Sequence, residues 1–219
     1  MGKYGYSESK ANDVKCIIEN DFNSFSKKNI EALIDEFEDD KGNRTINFIN
    51  YYNSIVLDHN DFNFGKFKKE WAIQGMKHKV FSKFDENFID RKNEIMTQKD
   101  IYSFYEKYCC EDRKEFVFCC KLFHVILPDE FPPIDNNIIK HFKLNNKEKM
   151  IDYKIIKRGY DLFISKNEEK IKQIRQILSK EKYQYIRINE LSNYRILDMI
   201  YWFKLARKPT IDRIGIWKN

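Results

Sequence analysis

Glycine and proline are scarce in this chain, at 7 and 4 of 219 residues. That scarcity excludes collagen-like, linker-rich and Gly-loop-rich architectures. It also argues against a many-turned β sandwich, whose tight hairpins draw on Gly, Asn-Gly and Pro. No apolar run approaches the roughly 20 residues that span a bilayer. The opening residues, MGKYGYSESK, contain no hydrophobic segment resembling a signal peptide. A soluble cytoplasmic protein without a membrane partner is therefore expected. The five cysteines form no disulfide framework, because Cys16 stands alone while Cys109–Cys110 and Cys119–Cys120 are adjacent pairs. Vicinal thiolates do not easily converge on one tetrahedral ion. Buried helical thiols are favoured over zinc, and no metal site is expected. Also missing are G-x-x-x-x-G-K, G-x-G-x-x-G, H-E-x-x-H and G-x-S-x-G, so no cofactor is expected.

What the chain has in abundance is aromatic side chains and charge. Aromatics make up 16 % of it, led by 18 Phe and 13 Tyr, enough to argue against disorder despite 34 % charged residues. The formal charge of +6 hides an asymmetry. Residues 1–61 hold 7 Lys or Arg against 12 Asp or Glu, whereas residues 62–219 hold 33 against 22. Six acids crowd into 31–40, and 13 basic residues lie between 140 and 182. The basic part is a candidate polyanion-binding surface, and the acidic stretch 31–40 a candidate dock for a basic protein. The plainer alternative is a solvated lysine-rich face.

Apolar residues recur at helical spacing almost throughout, which predicts an all-α, multi-helix globular fold. The expected organisation is an acidic helical subdomain at 1–60 and a basic helical domain at 61–219. Thr97 is expected to cap a helix carrying Ile101, Phe104 and Tyr105. Asp112 is expected to cap the most apolar helix, Phe116 to Leu127, which the prolines of Pro128-Asp-Glu-Phe-Pro-Pro then end. Further helices are expected at 147–165, 168–181 and 190–207. Only Tyr183–Ile188 and Thr210–Trp217 have strand-like composition. The four histidines are isolated, and His124 reads as a satisfied core residue.

The informative segment is 113–144, RKEFVFCCKLFHVILPDEFPPIDNNIIKHFKL. A basic, strongly apolar helix leads through a Pro-rich turn to an Asp that begins another helix. That order resembles the second half of the signature of helix-hairpin-helix (HhH-GPD) DNA glycosylases, which include 8-oxoguanine DNA glycosylases and endonuclease III. The resemblance implies a base-excision glycosylase or lyase, with Asp135 of Phe131-Pro-Pro-Ile-Asp135 as the catalytic aspartate. It also implies a lysine upstream, for which Lys121 and Lys114 are the candidates. A carboxylate at a helix N-terminus stays ionised and could stabilise positive charge on a sugar as its base leaves. A deprotonated lysine could attack C1′ and form a Schiff base. No glycine lies between Gly75 and Gly159, so the family's Gly-x-Gly hairpin is absent, altered or built from other residues.

In Tyr194-Arg-Ile-Leu-Asp-Met-Ile-Tyr-Trp202, Arg195 and Asp198 share a helix face, as do Asp198 and Trp202. One reading is an internal Arg195–Asp198 ion pair. The other places Asp198 or Trp202 at the rim of the Asp135 pocket, with Trp202 stacking on a base. Lys140, Lys143, Lys154, Lys157 and Arg158 are the expected nucleic-acid contacts, DNA being the expected partner. Trp71 and Phe81, among interleaved lysines, read as core residues. The alternative to an enzyme is a non-catalytic helical module that binds nucleic acid or protein, for instance in bacterial defence or a mobile element.

Overall fold

The computed structural model describes residues 5–24, 47–59, 62–71, 93–94, 97, 100–106 and 115–205, apart from the side chains of Lys68 and Phe203. Among these residues every regular element is a helix, so the fold is all-α. In chain order the elements include α1 (Glu8–Ser24), α2 (47–56), α3 (Phe64–Glu70), α4 (Ile101–Phe104), α5 (Phe116–Ile126), α6 (Asn136–His141) and α7 (Lys149–Lys166). They continue with α8 (Glu168–Leu178), a 3-10 helix at Glu181–Ile186 and α9 (Asn193–Leu205). Asp112, Phe81, Thr210–Trp217 and the acidic stretch 31–40 lie outside the described residues.

Two local expectations are corrected. The cap of α4 is Asp100 rather than Thr97. Asp100 turns its Oδ1 onto the N–H groups of Tyr102 and Ser103, at 3.0 and 3.3 Å. Thr97 instead donates its hydroxyl back to the Asn93 carbonyl at 2.7 Å. The strand-like Tyr183–Ile188 falls largely within the 3-10 helix, which closes at Arg187 in the left-handed region with φ 54°. Three residues per turn put Tyr183 and Ile186 on one face, and both are fully buried.

The core is built around α5, where Phe116, Phe118, Cys119, Cys120, Leu122, Phe123, His124 and Val125 are all buried. The two described thiols of its vicinal pair are thus helical core groups. One apolar core takes residues from both sides of position 60, including Val14, Phe22, Tyr52, Phe123 and Tyr201.

The principal long helix pair is α1 with α7. Glu8 meets Arg158, Val14 meets Gly159 and Glu19 meets Asn167, so the two helices run in the same direction, and Asn23 continues the contact to Lys170 of α8. Gly159 lets them approach. A Cβ there would stand 2.5 Å from Val14 Cγ1 and 3.0 Å from the Ala11 carbonyl oxygen.

Asp21 then ties α1 to two other helices. It accepts from His141 Nε2 of α6 at 2.7 Å, and from Lys204 Nζ and the Tyr201 hydroxyl of α9 at 2.6 and 3.1 Å. Arg175 of α8 anchors the entrance to α9 by donating to the carbonyls of Ile188 and Leu191 and to Asn193 Oδ1. These ties hold α6 and α9, the two elements that carry the candidate site.

Candidate functional site

The Pro-rich turn is part of the core. Phe131, Pro132, Pro133 and Ile134 are all buried, with Phe131 packed on Phe123 at a ring separation of 5.1 Å. His124 clamps this turn. Its Nδ1–H donates to the Phe131 carbonyl at 2.7 Å, which leaves Nε2 to accept from the Tyr52 hydroxyl at 2.8 Å. Burial pushes the His124 pKa down to about 3, so the imidazole is neutral and both nitrogens are used. The reading of His124 as a satisfied core residue holds.

The clamp delivers Asp135 to the start of α6. Its backbone is extended, and Oδ1 accepts from the N–H groups of Asn137 at 2.8 Å and Ile138 at 3.1 Å. The side chain is half-buried, and among the described residues its second oxygen takes no hydrogen bond. Asp135 is thus the helix cap its sequence context predicts, with one carboxylate oxygen to spare.

The other expected charged groups lie on two further helices, α5 and α9. Lys121 of α5 donates to the Trp71 carbonyl at 3.3 Å, and its ammonium stands 5.1 Å from the Trp71 ring. On α9, Arg195 and Asp198 form the internal ion pair that their spacing allows, with Arg195 2 % and Asp198 7 % exposed. The guanidinium is surrounded by rings, at 4.5 Å from Tyr52, 5.2 Å from Phe48 and 5.7 Å from Trp71. Trp202, partly exposed, packs on Phe48 at 5.9 Å.

Burial pushes the Asp198 carboxyl up to about 6. Arg195 opposes that rise, Asp135 adds to it and Lys121 opposes it. Asp135, Lys121 and Arg195 thus all act on the charge of Asp198, and Trp71 packs against both Lys121 and Arg195. Of the two readings of the α9 motif, the internal pair is what the structure shows, and the Asp135 charge acts on it through Asp198.

The remaining expected contacts divide. Lys140 and Lys143 are exposed at the end of α6, with Lys143 in the left-handed region at φ 55°. On α7, Lys154 sits 4.0 Å over the Tyr102 ring, and Arg158 donates to Glu8 at 2.7 Å. Lys157 donates to Asp161 at 3.0 Å and to the Tyr194 hydroxyl at 3.1 Å. These three cations already have partners within the chain. Lys114 lies outside the described residues.

Sequence reasoning placed Trp71 in the core, where it is, 6 % exposed, but missed its contact with both Lys121 and Arg195. It also missed Phe48 and Tyr52 as walls around Arg195. Fifty residues separate Trp71 from Lys121, and nothing in the local pattern of either predicts the meeting. No family model, curated protein or solved structure matches the chain. Among the described residues no helix is long and apolar enough to cross a membrane.

Proposed function

We propose that this protein acts on DNA as a base-excision enzyme of the kind its 113–144 segment resembles, the helix-hairpin-helix glycosylases. The observation that carries the proposal is the placement of Asp135. It keeps one oxygen off its helix cap in a half-buried position, and its charge acts on Asp198 of the Arg195–Asp198 pair. When the bond from C1′ to the base nitrogen breaks, its electron pair leaves with the base and positive charge develops on the sugar. An ionised carboxylate held by helix amides stabilises that charge. Water then adds to C1′ to leave an abasic site. If Lys121 loses its proton and leaves the Trp71 carbonyl, its lone pair attacks C1′ in place of water and the adduct rearranges to a Schiff base. Exposed Lys140 on the helix that Asp135 caps, and exposed Lys143 just beyond its end, support phosphate contact nearby.

The test is incubation with duplexes carrying 8-oxoguanine, uracil, hypoxanthine or an abasic site, followed by alkali or borohydride. Base release that is abolished in Asp135→Asn supports the glycosylase, and a trapped adduct lost in Lys121→Ala adds the lyase step. Neither product on any substrate refutes the proposal.

A second reading is a non-catalytic helical nucleic-acid-binding module. It is favoured by the engagement of Lys121 with Trp71, which occupies the ammonium. It predicts salt-sensitive DNA or RNA binding that survives both substitutions.

A further inference from the structure

Tyr160 of α7 is fully buried, and among the described residues its hydroxyl has no hydrogen-bond partner. A buried hydroxyl left unpaired costs stability, and phenylalanine would fill the same space without that cost. What a phenol offers over a phenyl ring is an electron that is easier to remove. The neighbours of Tyr160 offer the same chemistry. Its ring is stacked against those of Tyr194 and Tyr201 of α9, each at 6.4 Å between centroids, with interplanar angles of 29° and 11°. Tyr194 and Tyr201 share a helix face seven residues apart, about 10 Å along the axis, so the Tyr160 ring bridges them.

The two outer tyrosines differ from the middle one in having a proton acceptor. The Tyr194 hydroxyl donates to Asp161 Oδ1, and the Tyr201 hydroxyl donates to Asp21 Oδ2 at 3.1 Å. Both carboxylates reach solvent, with 33 % of the Asp161 side chain and 16 % of the Asp21 side chain exposed. Burial raises the pKa of all three phenols, so each is protonated before it is oxidised. An oxidised phenol that keeps its proton is a cation, and a buried cation is costly. Oxidation is therefore favoured where a carboxylate takes the proton, at the two ends of the row.

We infer that Tyr194, Tyr160 and Tyr201 form an electron-transfer relay, which carries one-electron oxidising equivalents from the surface at Asp161 to the Asp21 node. The relay needs neither Asp135 nor Lys121, so it is independent of the base-excision reading. A small oxidising radical in solution, such as the carbonate radical anion, takes one electron from Tyr194 and leaves as carbonate, while the phenol proton passes to Asp161. One electron then moves from Tyr201 through the Tyr160 ring to Tyr194. The Tyr194 oxygen recovers its proton from Asp161, and the Tyr201 proton passes to Asp21, which leaves a neutral tyrosyl radical at Tyr201. The radical rests there because Lys157 donates to the Tyr194 oxygen itself at 3.1 Å, and its charge opposes electron loss. At Tyr201 the ammonium of Lys204 bonds the Asp21 carboxylate.

The test is to generate carbonate radical by flash photolysis in a solution of the full chain, freeze it at once and record the tyrosyl signal by electron paramagnetic resonance. Tyr160→Phe is the deciding variant, because it keeps the ring, deletes a hydroxyl that bonds nothing and should fold at least as stably. In the wild-type chain most of the signal should be lost on Tyr201→Phe. In the Tyr160→Phe chain the radical should stay at Tyr194, so the signal is lost on Tyr194→Phe and persists on Tyr201→Phe. Signals from exposed tyrosines such as Tyr6 are common to every variant and subtract out.

The β-proton splitting reports the side-chain torsion of the ring that holds the radical. It should shift between wild type and Tyr160→Phe, a comparison that needs no substitution at either end of the row. A splitting and intensity unchanged by Tyr160→Phe overturn the relay, as does a wild-type signal that persists on Tyr201→Phe.

Discussion

Replacing Gly159 with alanine probes the contact that seats α1 on α7. In a free helix the change stabilises by about 1 kcal/mol, because alanine restricts the unfolded chain and glycine does not. Here the new Cβ meets Val14 Cγ1 at 2.5 Å, Val14 Cβ at 2.8 Å and the Ala11 carbonyl oxygen at 3.0 Å. Carbon atoms rest at about 3.5–4.0 Å, so roughly 1 Å must be found. Val14 has little rotamer freedom in a helix, and the Ala11 oxygen is backbone, so the separation falls on the helix pair itself. Overpacking of this kind costs about 1–3 kcal/mol. Taking the upper end and subtracting the propensity gain leaves a net loss of about 2 kcal/mol. For a chain of this length that corresponds to a fall in Tm of about 4–8 °C.

Urea denaturation should show the midpoint falling with an unchanged slope. In a Val14→Ala background the loss should shrink, giving a coupling of about 1 kcal/mol in the double-mutant cycle. Equal or greater stability of Gly159→Ala would falsify the close approach of these helices.

Three further outcomes are expected. Tyr52→Phe leaves His124 Nε2 without its donor in the core and should cost about 1–3 kcal/mol, read by chemical denaturation; a loss below 0.5 kcal/mol contradicts the clamp. Asp135→Ala should cost about 1 kcal/mol through the lost cap, whereas Asp135→Asn, an equally good cap, should be near neutral while removing any base-release activity. His124 is neutral when folded and titrates near 6.5 when unfolded, so its contribution is complete above that pH and is lost as pH falls towards about 3. Asp198 acts in the opposite sense, losing stability as pH rises towards about 6, so the readout is the difference between wild type and His124→Phe across that range. A wild-type chain whose acid sensitivity matches the variant's removes the buried neutral imidazole.

Much of this architecture is legible in local pattern. The spacing of apolar residues points to α1, α5 and α7, Pro128 follows directly on the end of α5, and Asp135 after Pro-Pro announces a cap. Arg195 and Asp198 announce their own pairing by lying one helical turn apart among apolar neighbours. Where the reading failed, competing local chemistry won. Asp100 offered α4 a nearer carboxylate than the Thr97 hydroxyl, and the aromatic Tyr183–Ile188 buried its side chains in a three-residue turn.

Helix, cap and turn are settled by interactions among residues within a few positions of one another, and for these the amino-acid order suffices. The site is a different kind of object. Lys121 meets Trp71 across fifty residues, Tyr52 meets His124 across seventy-two, and Asp198 feels Asp135 from another helix. Such meetings depend on which helix faces pack together, and the Gly159 contact and the Asp21 node that help hold them belong to neither partner's local sequence. Nor could composition reveal which polar groups would be buried, because burial is a property of the packed chain and not of any residue in it.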